Sequence, residues 1–353
     1  MKALILSGGK GTRLRPITHT SAKQLIPIAN KPVLFYGLET IVSCGITDVG
    51  IIVGDTKNEI KAAVGDGSKW GIKVTYIEQE APSGLAHAVK IAKDFIGNDS
   101  FIMYLGDNVV TFGVSDLVTQ FKKNKSNAQI LLAKVPHPEQ FGVAELKDEK
   151  VVRLEEKPKN PKSDLALVGV YLFDTKIFEA IENIKPSWRN ELEITDAIQY
   201  LIDKKYDVRA TIISGWWKDT GRLEDMLEAN RLILDKIEPA IKGSVDELSK
   251  LDGKIVVEKG ARIINSTIRG PVIIGENSAI INSYIGPFTS IYFKTNVENS
   301  EIEHSIVLEN SLIKDIKRIE DSLIGQNVTV IKTEKKPAAY RIMVGDSSRV
   351  EVN

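Results

Sequence analysis

The dipeptide Asn-Ser recurs at Asn265-Ser266, Asn282-Ser283 and Asn299-Ser300, each 17 residues after the last. Around it, Ile263, Ile268, Ile274, Ile280, Ile285, Ile291, Val297 and Ile302 step by five or six positions. That period excludes ordinary elements, because a helix returns to one face every three or four residues and a strand every two. It predicts a β-solenoid with three short faces per coil, each face sending one apolar residue inward with charged residues between. A single coil cannot bury its apolar residues alone, so the coils must stack. From Glu334 the repeat stops: Lys335-Lys336-Pro337 breaks the pattern, with Tyr340 to Val344 open as one last strand.

Upstream the pattern is different. Val49–Val53, Lys73–Ile77, Phe101–Leu105 and Gln129–Val135 read as apolar strands, alternating with helices at Asn58–Val64, Leu85–Phe95 and Val114–Lys123. This alternation predicts an α/β fold with a doubly wound, mainly parallel sheet. Val143 to Glu155 alternates in short pieces around Lys147-Asp148 and reads as a hairpin, and Leu165 to Phe173 is a long apolar strand. An amphipathic helix from Arg222 to Ile237 closes this part. The expected division is residues 1–237, a linker at 238–252 containing Pro239 and Gly243, and the solenoid with its tail at 253–353.

The first strand, Ala3-Leu4-Ile5-Leu6, runs into Ser7-Gly8-Gly9-Lys10-Gly11-Thr12-Arg13. Glycines there let the backbone turn sharply and present bare N–H groups to an anion. Arg13, Arg15, Lys23 and Lys31 add cations, and Lys31-Pro32 leads into a helix beginning at Val33. Together these predict a phosphate site at the carboxyl edge of a parallel sheet. The loop is not a Walker motif, since Gly11 rather than Ser or Thr follows Lys10, and Leu14 stands where the dinucleotide fingerprint needs its third glycine. A plain glycine turn with solvated basic residues is the alternative, and the added Arg13, Pro16, Lys23 and Lys31-Pro32 argue against it. With 47 basic and 47 acidic residues, the chain is not built to coat nucleic acid or an anionic membrane, so any anion site is local. Cys44 is the one cysteine, which excludes an intrachain disulfide and fits a reducing compartment. A strand begins the sequence, so neither a signal peptide nor a membrane-spanning helix is expected.

Two acids close strands. Asp107, in Leu105-Gly106-Asp107-Asn108, follows the strand Phe101–Leu105, and Asp219, in Trp216-Trp217-Lys218-Asp219-Thr220-Gly221, follows the strand Arg209–Ser214. A carboxylate at such a strand end faces the crevice where ligands bind and suits Mg²⁺, which takes most of its ligands from phosphates and water. The structural alternatives are a turn cap at Asp107 and a cap of the following helix by Asp219-Thr220. Glu155-Glu156-Lys157-Pro158 is either a surface ion pair or a ligand turn.

GGKGTRLRPIT followed by AKQLIPIANKP resembles the signature of the sugar-phosphate nucleotidylyltransferases. Lys23-Gln24-Leu25 is most similar to the glucose-1-phosphate thymidylyltransferase (dTDP-glucose pyrophosphorylase) branch rather than the ADP-glucose branch. The resemblance runs to about Leu234, and the remainder resembles the left-handed parallel β-helix of the long forms. It implies a Rossmann-like nucleotidyltransferase sheet with Gly8, Gly9, Gly11, Thr12, Arg13, Gln24, Gln79, Gly84 and Asp107 at the nucleotide. Gln79 would read the thymine edge, which an amide can pair with as donor and acceptor. Gly84 would admit the base to the backbone or serve as a helix-entry turn. Tyr76 and His87 read as packing and surface residues. Gly142, Glu156, Lys157, Gly169, Tyr171 and Glu191 would hold the sugar phosphate, and Asp107 and Asp219 would hold Mg²⁺.

The reaction so implied is attack of a glucose 1-phosphate oxygen on the α-phosphorus of dTTP with pyrophosphate leaving. The attacking phosphate is already an anion and needs no general base. Catalysis then rests on cations and positioning, with Arg13, Lys23 and Lys157 as the catalytic residues. UTP stays open beside dTTP, because thymine and uracil share one pairing edge. The resemblance further implies a cytoplasmic homo-oligomer assembled partly through the β-helix, whose repeats carry no phosphate loop or acid pair. A second, acetylating activity of that helix would need a histidine base; of four histidines only His304 lies there, and it reads as structural. A non-catalytic homologue would be expected to have lost one of Arg13, Lys23, Asp107 and Asp219, and all are present.

Overall fold

The computed structural model describes residues 1–9, 11–111, 113–148, 150–332 and 348–351; the stretch Tyr340 to Val344 lies outside them. The chain forms two compact units. The first comprises Met1–Lys10, Ser21–Leu25 and Val33–Asp219, the second Gly11–Thr20, Ile26–Pro32 and Thr220–Asn353.

In the first unit the strand Lys2–Leu6 pairs in parallel with Asp48–Val53 on one side and Phe101–Leu105 on the other. Its apolar run is continuous because both faces are covered, the rule for central parallel strands. Alternate residues fill opposite layers: Leu4 and Leu6 enter one apolar core, Ala3 and Ile5 the other. The sheet runs Lys150–Glu156, Gly142–Lys147, Leu165–Phe173, Phe101–Leu105, Lys2–Leu6, Asp48–Val53, Lys73–Glu78. Leu165–Phe173, buried along its whole length, is antiparallel to Phe101–Leu105 and also pairs with Ala128–Lys134, which in turn pairs with Val208–Ile212. The expected hairpin turns at Asp148, whose φ of 51° is one that Asp tolerates.

Two features differ from the sequence reading. The expected helix Leu85–Phe95 is interrupted at Ala92 into Leu85–Ile91 and Lys93–Ile96. Helices Lys176–Asn183 and Ile194–Asp203 emerge as well, burying Ile177, Phe178, Ile181, Ile194, Ile198 and Leu201 in the same core as Leu4. Apart from the main sheet, Asn108–Val110 pairs antiparallel with Trp217–Asp219.

The second unit is dominated by the solenoid. Its strands stack into three parallel sheets of six, six and five strands, the arrangement of a left-handed β-helix. All eight apolar steps read from the sequence point inward, each 1% exposed or less. The Asn-Ser repeat has a physical reason. Asn265, Asn282 and Asn299 turn corners at φ of 45–48°, which asparagine tolerates better than most residues. Their amides form a ladder, Asn265 Nδ2 to Asn282 Oδ1 at 2.8 Å and Asn282 Nδ2 to Asn299 Oδ1 at 3.2 Å. Each serine Oγ accepts the backbone N–H of the next coil, Ser283 N to Ser266 at 3.0 Å and Ser300 N to Ser283 at 3.1 Å.

Within 238–252, the stretch read as a linker, Ala240–Ile241, Ser244–Val245 and Lys250–Asp252 pair in parallel with the strands that follow. Gly243 marks a close approach there: a Cβ would lie 2.3 Å from the Ala261 carbonyl oxygen. The N-cap position of the helix Leu223–Leu234 is Arg222, which makes no side-chain capping bond, rather than Thr220 or Asp219. The short hairpin Pro27–Ile28 and Lys31–Pro32 turns through Ala29 and Asn30, both left-handed at φ 45° and 58°.

Candidate active site

The central strand ends in a backbone cradle. Ser7 N donates to Ile52 O and Gly106 N to Leu6 O, both at 2.9 Å, which fixes the loops after two neighbouring strands. Gly8 and Gly9 then lie bare against polar side chains. A Cβ on Gly8 would sit 3.5 Å from Gln79 Oε1; one on Gly9 would sit 3.1 Å from Lys23 Cε and 3.9 Å from Gln24 Nε2. Thus the loop, Lys23, Gln24 and Gln79 converge. Gln24 is 1% exposed, and its Oε1 has no hydrogen-bond partner among the described residues. An unpartnered buried acceptor costs about 1–3 kcal/mol, so this is a place built for a donor.

Asp107 meets this cradle through Lys23, whose Nζ donates to Oδ2, while Asn108 Nδ2 donates to Oδ1 at 2.9 Å. Burial alone would raise the Asp107 carboxyl. The Lys23 ammonium and the Lys23 and Asn108 hydrogen bonds outweigh it and hold the carboxyl below the ordinary carboxylate value. The strand Trp217–Asp219 brings the second acid, because Asp219 is paired with Asn108, next in sequence to Asp107. The Trp217 indole N–H donates to Asn108 Oδ1 and fixes that amide, and Trp217 packs edge-on against Phe141 at 5.3 Å. Gly169 is bare for the same reason: a Cβ would lie 2.6 Å from Asn108 Oδ1. No group of three or more metal-ligating side chains exists among the described residues. The donor set here is two carboxylates, all hard oxygen, which fits a divalent cation that completes its shell with phosphate and water.

Gln79 is held by its amide nitrogen, which donates to Gly84 O at 3.2 Å and lies 3.0 Å from His87 Nδ1. His87 therefore orients Gln79, a role the sequence reading did not give it. Gly84 has φ 99°, and a Cβ would lie 2.4 Å from Leu192 O. Its missing side chain admits the loop before Ile194, secured by Leu192 N to Ser83 O at 2.8 Å and Ala86 N to Leu192 O at 3.0 Å.

That loop carries the second half of the site. Arg189 Nη2 meets Glu191 at 3.0 Å, while its Nη1 meets Glu193 at 3.5 Å and Glu156 at 3.7 Å. One guanidinium thus gathers three carboxylates. The Ser187 hydroxyl donates to Glu193 at 2.8 Å. Glu156 faces Gly142 across the hairpin, where a Cβ would be 3.1 Å from Glu156 Oε2. Burial pushes the Glu156 carboxyl up, and the Glu193 charge adds to the rise; Lys157 and Arg189 oppose it without overcoming it. Lys157 follows at φ 45°, its N–H donating to Phe141 O at 3.0 Å. Tyr171 lies in the apolar core at 3% exposure, where burial drives its hydroxyl upward and the nearby Glu156 charge adds to it.

Gly11, Thr12 and Arg13 belong to the second unit. Gly11 is left-handed at φ 63°, its carbonyl accepts from the Thr18 hydroxyl at 2.7 Å and from Leu14 N at 2.9 Å, and buried Leu14 anchors the turn. Thr12 and Arg13 remain exposed.

Comparison with known proteins settles the family. The nucleotidyl transferase family matches residues 2–236. The chain belongs to this family. A Streptomyces griseus relative named glucose-1-phosphate thymidylyltransferase is 58% identical over the full length of both chains. A Streptomyces antibioticus relative of the same name is 57% identical over all of this chain and 99% of its own. A solved Bacillus anthracis structure, assigned as a glucose-1-phosphate thymidylyltransferase in complex with sucrose, superposes with a TM-score of 0.64 at 38% identity. It covers 68% of this chain and 97% of its own.

For a nucleotidyltransferase the arrangement is apt. Substrates of this family are a nucleoside triphosphate and a sugar 1-phosphate, and the first unit offers a glycine cradle with Lys23 and the Asp107–Asp219 pair, together with a carboxylate cluster suited to hydroxyl groups. Arg189 and His87 are the residues the sequence reading missed. Arg189 had a local signal, since it stands two residues before Glu191 in Trp188-Arg189-Asn190-Glu191.

Proposed function

We propose that the protein is a glucose-1-phosphate thymidylyltransferase, moving dTMP from dTTP to α-D-glucose 1-phosphate with release of pyrophosphate. The observation that carries this reading is the convergence of the bare Gly8-Gly9 backbone, buried Gln24 and the Lys23–Asp107 pair at one strand end. The full-length relatives of that name support it.

In this reading the triphosphate lies along the glycine loop, Arg13 stabilises charge growing on pyrophosphate, and Lys23 and Lys157 align the two phosphates. Glu156 and Glu191 accept hydrogen bonds from sugar hydroxyls. Gln79, fixed by His87, offers its amide to the pyrimidine edge. Mg²⁺, when bound, would be held by Asp107 and Asp219 and would supply charge neutralisation at the triphosphate. Barrier lowering comes from placement and positive charge, as phosphoryl chemistry requires. The catalytic part would end near Ile237. The enzyme would be a cytoplasmic homo-oligomer, with the β-helix supplying part of the subunit contact; no helix among the described residues is long and apolar enough to cross a membrane.

The test is a matrix of dTTP and UTP against glucose, galactose and N-acetylglucosamine 1-phosphates, read by pyrophosphate release. The highest kcat/KM is expected for dTTP with glucose 1-phosphate. A preference for another pair would overturn the substrate assignment, and no release with any pair would overturn the activity.

A further inference from the structure

The helix Leu223–Leu234 carries one polar side chain that is wholly enclosed, Asn230 at 0% exposure. Its Oδ1 accepts from Ala29 N at 2.8 Å and from the Ser290 hydroxyl at 2.6 Å, and its Nδ2 donates to Phe288 O at 2.9 Å. One amide therefore joins the helix, the Pro27–Pro32 hairpin and a solenoid corner. A second tether runs beside it, Asn30 Nδ2 donating to Ile291 O at 2.8 Å. Ala29 also packs in a small apolar cluster with Leu234 and Ile273, bordered by Phe288. Nearer the N-terminus, Ile17 lies against the solenoid at Gly325, where a Cβ would be 3.8 Å from Ile17 Cγ1.

The hairpin has two strands of two residues each and a turn with both residues left-handed. A ribbon so short has no stability of its own, so its position is set by what it is tied to. Here the ties are solenoid backbone and one buried amide. Gly11–Thr20 and Ile26–Pro32, the parts of the signature that cluster in the second unit, are thus fastened to the β-helix.

We propose that the solenoid is a working part of the nucleotide-binding apparatus: its coils hold the two signature segments Gly11–Thr20 and Ile26–Pro32 in place, with Asn230 as the positioning residue. The proposal rests on the reading of those segments as nucleotide-binding. It departs from the expectation that a repeat without a phosphate loop or acid pair serves subunit contact alone.

The test uses the full-length protein. Asn230→Ala removes all three bonds. Asn30→Gly combined with Ser290→Ala removes one tether on each side while glycine keeps the left-handed turn. For Asn230→Ala, loss of all three bonds predicts a nucleotide KM raised at least about fivefold, with the sugar 1-phosphate KM unchanged. The double variant should move the same way by a smaller factor. A purely structural role would lower the active fraction and leave both KM values alone. Unchanged nucleotide KM in the folded variants overturns the proposal, and should Asn230→Ala fail to fold, the double variant alone decides. Arg13→Ala separates the underlying reading: if it leaves nucleotide kinetics untouched, the assignment of the segments falls and the proposal with it. If Arg13→Ala alters them while the tether variants do not, only the anchoring falls.

Discussion

Glu156 stands where its proposed role and its surroundings pull in opposite directions. Burial and the Glu193 charge raise its carboxyl above the ordinary value, so ionised Glu156 costs folding free energy at neutral pH. The sign is definite: with the native carboxyl binding its proton more tightly than the unfolded one, the stability it contributes is present in acid and lost as pH rises through the raised value. Glu156→Gln should therefore melt higher than the parent at neutral pH, by about one to a few degrees, with the gain vanishing in acid. The same variant should raise the sugar 1-phosphate KM. Calorimetry across pH and steady-state kinetics check both; a lower neutral melting temperature would show that Arg189 and Lys157 outweigh the burial. Asp107→Ala and Asp219→Ala should each lower kcat by on the order of a hundredfold or more at saturating Mg²⁺ while leaving the fold intact. Near-normal rates in either would remove it from the metal site. Arg13→Ala should lower kcat more than it raises the nucleotide KM, because charge on the leaving group grows in the transition state.

Between residues and domains, the element that matters most is the loop from Ser187 to Leu192. It is clamped at one end by the missing side chain of Gly84 and at the other by the Arg189 cluster. Gly84→Ala puts a methyl 2.4 Å from Leu192 O at a φ of 99°, so about 1–3 kcal/mol of stability should be lost in thermal denaturation. The displaced loop should also weaken sugar 1-phosphate binding; unchanged stability and KM would mean that the loop adapts freely. This loop also shows where sequence reading stops. The strand-end acids and the glycine cradle were legible because their signals are local. The inward solenoid positions were legible because each coil repeats the last. Arg189 carried only the local hint of its nearness to Glu191, since its full meaning comes from Glu156, a residue from a distant hairpin. Gly84 announced a close approach without naming Leu192 as what approaches, and Gly142 and Gly169, expected as sugar-phosphate contacts, gave no sign that Thr195 and Asn108 crowd them. The strands within 238–252 are two or three residues long, too short to show any period of their own.

Across the whole molecule, the two units exchange chain repeatedly in the first 33 residues. Truncation after Ile237 would strip Asn230 of Ser290 and Phe288 and Asn30 of Ile291. The truncated protein should melt several degrees lower and show a raised nucleotide KM, measured by calorimetry and pyrophosphate release on the same preparation; parent-like values for both would make the solenoid dispensable. The tethers also have a consequence in time. Ala29 meets Asn230 across 201 positions and Asn30 meets Ile291 across 261. At about 5–20 residues per second, a ribosome delivers the first of these partners some ten to forty seconds after the hairpin itself has been made. The hairpin near the start of the chain is thus among the last parts to gain its full set of contacts, and on the proposed anchoring a nascent chain would reach its full grip on nucleotide only after most of the protein has been synthesised.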